Sequence, residues 1–197
     1  MANSSLQKPF IGLKAVWYGE VVNKVTTPDS GYTAAELKTL KATLTSVRNV
    51  HQDTWGYDES DPSVTDYIDE LSGQPYYRDV TEGAIPTVNF TMGQYSFEDK
   101  AAFQGGKATE EKWERGNMTE PVEKCILAQT KTGNYIFIPR ANIIGKGSFV
   151  EKNIGLGVSA VPLVTNVEGL ASEIWFKGDV IDTESASMAS VNGKSSL

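Results

Sequence analysis

Hydrophobic and polar positions alternate most cleanly in TVNFTM (87–92), where Val88, Phe90 and Met92 are interleaved with Thr87, Asn89 and Thr91. A period of two marks a half-buried strand. A helical period is clearest in YTAAELKTLKATLTSV, where Leu37, Leu40, Leu44 and Val47 share one face and Lys38 and Lys41 the other. Thr33 followed by Glu36 makes a capping box, with Tyr32 and Leu37 at the flanking staple positions. The spacing predicts a helix over 33–47 that docks through Leu37, Leu40 and Leu44. SFEDKAAFQGG (96–106) predicts a shorter helix, capped by Ser96 with Asp99 at its third position and stopped by Gly105 and Gly106.

The remaining apolar runs are strand-like. IGLKAVWYGEVV (11–22) predicts a first strand with a break near Gly19. In the C-terminal half, PVEKCILAQT and NYIFIP are joined by the hairpin signal KTG; ANIIGKGSFVEKN and IGLGVSAVPLV follow, and SEIWFKGDV closes the series. Short sequential strands with glycine-rich turns define a mainly β fold, an antiparallel β-sandwich or barrel with one flanking helix and the further amphipathic helix 33–47. The strands at 85–92 and 155–164 lack charges and suit pairing along extended edges, with Gly155 and Gly157 leaving room for another backbone. The expected organisation is one β-sandwich domain over 10–181 between polar, flexible arms at 1–9 and 182–197.

A length of 197 residues fits that single domain. A net charge of −7 argues against tight binding to nucleic-acid phosphates, whose attraction depends on clustered Lys and Arg. Cys125, the single cysteine, excludes an internal disulfide framework and a thiolate metal site, and reads as a small buried hydrophobe. MANSSLQKPFIG shows no secretory pattern, and IGLGVSAVPLV is too short for a membrane-spanning helix. A soluble protein of a reducing compartment is the expectation.

Candidate chemistry concentrates in HQDTWGYDESDPSVTDYIDE (51–70), which holds the only histidine, His51, and the carboxylates Asp53, Asp58, Glu59, Asp61, Asp66, Asp69 and Glu70. His51 has no second histidine to complete a zinc site. DESDPSVTDYID lacks the glycine and final glutamate of a calcium loop. Carboxylate pairs of the glycosidase type exist in any acidic loop and select nothing. A solvated or interface-facing acidic loop explains the segment better, with Trp55, Tyr57 and Tyr67 folding back on the domain. Elsewhere there is no G-x-S-x-G elbow and no phosphate loop: GKGS (145–148) lacks the upstream glycine and following helix, and GLGVSAVP meets a proline where a dinucleotide fold needs its helix. The expectation is therefore a protein that is not an enzyme, with no catalytic, cofactor-binding or metal residues and no cofactor.

One combination is more distinctive than any motif. TVNFTM runs into the capped helix SFEDKAAFQGG; the strand pair KCILAQTKTGNYIFIPRANIIG follows, then GLGVSAVPLV leading to EIWF. Over about residues 85–178 this pattern resembles the major tail tube protein of long-tailed bacteriophages. The resemblance implies a β-sandwich flanked by a helix, whose copies form hexameric rings that stack into a tube for DNA delivery. It also implies other tail proteins as partners, a virion location after assembly in the bacterial host cytoplasm, and duplex DNA that passes the lumen without tight binding. The alternative is a monomeric β-sandwich binding module for a carbohydrate or protein ligand, with Trp17, Trp55 or Trp113 as a platform.

Overall fold

The computed structural model describes residues 6–117 and 119–182. In chain order the elements are β1 (Ala15–Gly19), α1 (Ala34–Lys41), β2 (Thr45–Ser46), β3 (Gly56–Glu59), β4 (Ser63–Ile68), β5 (Pro75–Glu82), β6 (Pro86–Met92), α2 (Phe97–Gln104), β7 (Lys107–Ala108) and β8 (Trp113–Glu114). Four longer pieces close the series: β9 (Val122–Gln129), β10 (Tyr135–Val150), β11 (Asn153–Pro162) and β12 (Ile174–Phe176), ending in α3 (Gly178–Asp182). The fold is mainly β, antiparallel throughout, with flanking helices.

One sheet carries the structure, ordered β2-β1-β9-β10-β11-β6-β3, with β12 on β10. Its pivot is β10, a single strand of 16 residues where the sequence pattern suggests two. Ile138 faces Ile126 while Ala141 faces Lys124, so Pro139 and Arg140 accommodate one extra residue as a β-bulge. Such a bulge bends its strand and sharpens the twist. The N-terminal half of β10 thus belongs with β9 and β1, and its C-terminal half with β11 and β6. Between the halves lies the main core: Val16, Tyr18, Ile126 and Ile138 from one, Val88, Phe90, Leu156 and Val158 from the other. The Val88/Phe90/Met92 alternation holds, each of the three being buried.

β9 is buried on both faces. Ile126 and Ala128 point into the main core, whereas Cys125 and Leu127 join Leu37, Tyr135, Phe137 and Ile181 in a second cluster under α1 and α3. α2 packs Phe103 against Tyr18 and Phe90. Both predicted caps form, and Ser96 with Asp99 proves to be a second capping box: the Thr33 hydroxyl accepts from the Glu36 amide, and the Ser96 hydroxyl from the Asp99 amide.

Several expectations are corrected. The helix over 33–47 ends at Lys41, and Thr45–Ser46 instead pairs with Trp17 and Tyr18 of β1. Thr43, Thr45 and Val47 are weak helix formers, and the open edge of β1 supplies ladder bonds that a longer helix cannot, including Val47 N–H to the Val16 carbonyl at 2.9 Å. Val47 therefore enters the main core, on the far side of the sheet from Leu37. A third helix, α3, follows the closing strand and buries Ile181, so Asp182 belongs to the fold and not to a tail. Lys8 and Pro9 are likewise tied down, their carbonyls accepting from Asn134 Nδ2 at 2.7 Å and Thr132 Oγ1 at 2.5 Å. The other arm residues, 1–5 and 183–197, lie outside the described residues. The strands at 85–92 and 155–164 are not sheet edges: β6 and β11 pair with each other, and β11 lies between β6 and β10. The room at Gly155 serves that internal neighbour, since a Cβ there would lie 2.9 Å from the Met92 carbonyl.

The first cap makes a prediction. Glu36 accepts from the Thr26 hydroxyl, and also from the Thr26 and Thr33 amides at 2.6 and 2.8 Å, which holds its carboxyl down at about 2. A depressed folded-state value gives stability that is present above the unfolded value of about 4.3 and lost as pH falls toward about 2. Thr33→Ala should cost about 1 kcal/mol. Glu36→Gln should flatten the loss of stability between those pH values, as read by the thermal midpoint against pH.

Candidate assembly interface

The acidic segment is not a loop. Its first part forms β3, whose Gly56–Glu59 pairs with Asn89–Pro86 of β6 at the end of the sheet. The chain then leaves the domain as a two-stranded arm, β4 and β5, whose ladder is separate from the main sheet. Every residue of β4 is exposed. One face of the arm carries the Val64–Val80 pair, with Arg78 donating to Asp66 from Nε at 2.6 Å and Nη2 at 2.9 Å. The other carries Tyr67 opposite Tyr77, with ring centroids 5.7 Å apart. Tyr76 is 71% exposed and Leu71, at the arm's turn, 97%. Asp69 ties that turn by accepting from the Ser72 hydroxyl and the Leu71 and Ser72 amides. These bonds hold its carboxyl below the ordinary carboxylate range, the serine hydroxyl contributing most.

A second exposed projection is the β10–β11 hairpin. Its two-residue turn, Glu151–Lys152, has both residues at positive φ, 44° and 67°. Two successive left-handed residues match the primed turn geometry that follows strand twist. Phe149 and Ile154 face each other across the last rungs, 75% and 64% exposed. They lie on the same face as Ile143 and Ala160, which are buried in the core further along the same two strands. Core-type side chains therefore continue past the point where the domain covers them. Gly147, on the same face two residues before Phe149 and opposite Leu156, leaves the surface beside the pair open: a Cβ there would meet only Ile154, at 4.0 Å.

The residues singled out for chemistry do not converge. His51 Nδ1 lies 3.0 Å from the Gln52 carbonyl, and Nε2 is 3.6 Å from Glu151. Among the described residues no group of three or more His, Cys, Asp or Glu is placed to hold a metal. Burial pushes the Cys125 thiol up to about 12, the opposite of a reactive cysteine. The tryptophans expected as a platform are half-buried and already have partners in the fold. Lys41 Nζ sits 4.8 Å from the Trp17 ring, Lys100 Nζ 4.4 Å from the Trp113 ring, and Trp55 packs on the main core. A cavity of about 700 Å³ beside the end of α2 includes Gln104, Asn117, Thr119, Glu120 and Asn142, and Glu120 is the one titratable group among its described lining residues. No helix among the described residues is long and apolar enough to cross a membrane.

The arm is the feature that sequence reading missed. Its signal is present in hindsight as strand formers on both sides of a Ser-Gly turn, SVTDYI and PYYRDV. No protein-family model matches the chain, and no curated protein matches it.

Proposed function

We propose that this chain is a structural subunit that assembles with copies of itself into hexameric rings stacked as a phage tail tube, a conduit for DNA delivery. The observation that carries the proposal is the β4–β5 arm. A lone two-stranded hairpin is marginally stable in water, and this one holds Val64, Tyr67, Ile68, Tyr76, Tyr77 and Val80 exposed over both of its faces. Such a surface makes sense when another protein covers it. The order of strand, capped helix, hairpin and closing strand adds the likeness to tail tube proteins. The acidic balance of the chain fits a conduit, because a negative lining lets duplex DNA slide where a basic one would hold it. Lateral closure falls to the outer strands β3 and β2, each with one edge unpaired by any strand among the described residues, since ring formation is how a sheet hides its edges.

Light scattering and negative-stain micrographs of concentrated protein test the proposal. Rings and tubes are expected, lengthening as salt screens repulsion between subunits of charge −7. Tyr76→Asp with Tyr77→Asp should abolish assembly while leaving the thermal midpoint within about 4 °C, because exposed substitutions each change stability by about 0.5 kcal/mol or less. A chain that stays monomeric at high concentration and high salt would return the binding module. Assembly indifferent to the arm substitutions would remove the observation on which the proposal stands.

A further inference from the structure

We infer that the arm of one copy docks on the exposed tip of the β10–β11 hairpin of the next, a head-to-tail contact that stacks subunits along the direction of these strands. The inference rests on the self-assembly reading and names the receiving surface. Register fixes where the two features lie. Glu59 pairs with Pro86 and Val88 with Ala160, so the arm leaves the sheet beside the C-terminal end of β11. Val150 pairs with Asn153, so the tip lies at the opposite end of the same strand. Ten residues of β11 separate the two ends, roughly 33 Å of strand.

Two unlike projections at opposite ends of one strand set cannot satisfy each other within a copy. They can do so between copies, and a contact joining different surfaces repeats indefinitely along an axis. Their chemistries match. The tip presents the exposed Phe149–Ile154 pair beside Gly147, whose lack of a side chain leaves open space next to an apolar surface that suits an aromatic side chain. The arm presents the tyrosines Tyr67, Tyr76 and Tyr77. Charge is complementary too. Residues 58–82 carry eight carboxylates against the single Arg78, whereas residues 144–154 carry Lys146 and Lys152 against Glu151. Opposite signs select this pairing over arm on arm, which would bring the carboxylates together.

Two measurements test the contact. Phe149→Asp with Ile154→Asp should raise the protein concentration at which stacks appear by at least about tenfold, with the circular dichroism spectrum unchanged. Lys152→Glu should weaken stacking, and mixing it with a Glu70→Lys partner copy, exposed at the same turn, should restore it. In the second measurement Tyr76→Cys and Phe149→Cys proteins are mixed under an added oxidant; Cys125 is fully buried and stays out of the reaction. Disulfide-linked dimers are expected from the mixture and not from either protein alone. This arm needs no destabilising substitution, so it decides the matter should the aspartate variant fail to fold. Stacks that persist in the aspartate variant, or assembled mixtures without cross-link, would overturn the tip assignment while leaving self-assembly standing. A wild-type chain that never assembles would instead overturn the parent reading.

Discussion

Phe103→Ala is expected to lower the unfolding free energy by about 3–5 kcal/mol, the range for emptying a fully buried aromatic site. Phe103 is 0% exposed, and its ring lies 4.5 Å from that of Tyr18 and 6.0 Å, edge-on, from that of Phe90. These rings come from β1 and β6, on the two halves of the curled sheet, so Phe103 closes the core between them. The site cannot readily collapse to fill the gap. A Cβ on Gly145 would lie 2.4 Å from the Phe103 carbonyl, so the backbone of α2 already rests directly on β10 and has no room to move inward. The start of α2 is pinned as well, because Asp99 accepts from Ser96 and from the Tyr18 hydroxyl at 2.8 Å. Both constraints push the cost toward the top of the range, a large share of the 5–15 kcal/mol typical of a whole domain. Denaturant unfolding measures it directly. A loss below about 1 kcal/mol would show that α2 relaxes into the cavity and is not a fixed lid.

What could be read from the sequence follows a physical rule: local signals were legible and non-local ones were not. Val88, Phe90 and Met92 announce a strand because one face is apolar and the other polar, which is what a period of two reports, although Thr91 on the polar face is buried as well. Both caps were legible because Thr33 with Glu36 and Ser96 with Asp99 close within three residues. The end of α1 is not legible locally because the competitor, the edge of β1, lies near residue 17 while the helical pattern runs on to residue 47. The arm escaped for the opposite reason to β6. With both faces exposed, SVTDYI shows no contrast between inside and outside, and its carboxylates dominate the eye. The tip was read correctly as strand, but Phe149 and Ile154 look like any core pair. Only the three-dimensional extent of α2 and the opposite half-sheet decides that cover stops short of them. The edge assignment for β6 and β11 failed similarly: lack of charge marked burial between neighbours, not a free edge.

Leu37→Ala is expected to cost about 2–5 kcal/mol, and Leu40→Ala clearly less. The helical spacing made the two leucines equivalent, but Leu37 is 0% exposed at the centre of the second cluster while Leu40 is half-buried at its margin. The consequence of losing Leu37 extends beyond its own cavity. It packs with Cys125, Leu127, Tyr135, Phe137 and Ile181, and Ile181 is the one buried apolar anchor of the five-residue helix α3. The two helices also share a polar link over the same cluster. Lys41 Nζ donates to the Tyr135 hydroxyl at 2.5 Å, and that hydroxyl donates to Asp182 at 2.7 Å. Lys41 also lies 4.7 Å from the Tyr135 ring. A helix of five residues does not persist by itself, so α3 should detach when α1 shifts. Ile181→Ala added to Leu37→Ala should therefore cost less than the sum of the single changes, with a coupling in the range of about 0.5–3 kcal/mol for residues in contact. A double-mutant cycle by chemical denaturation measures that coupling. Strict additivity would mean that α3 holds its place on the sheet without α1.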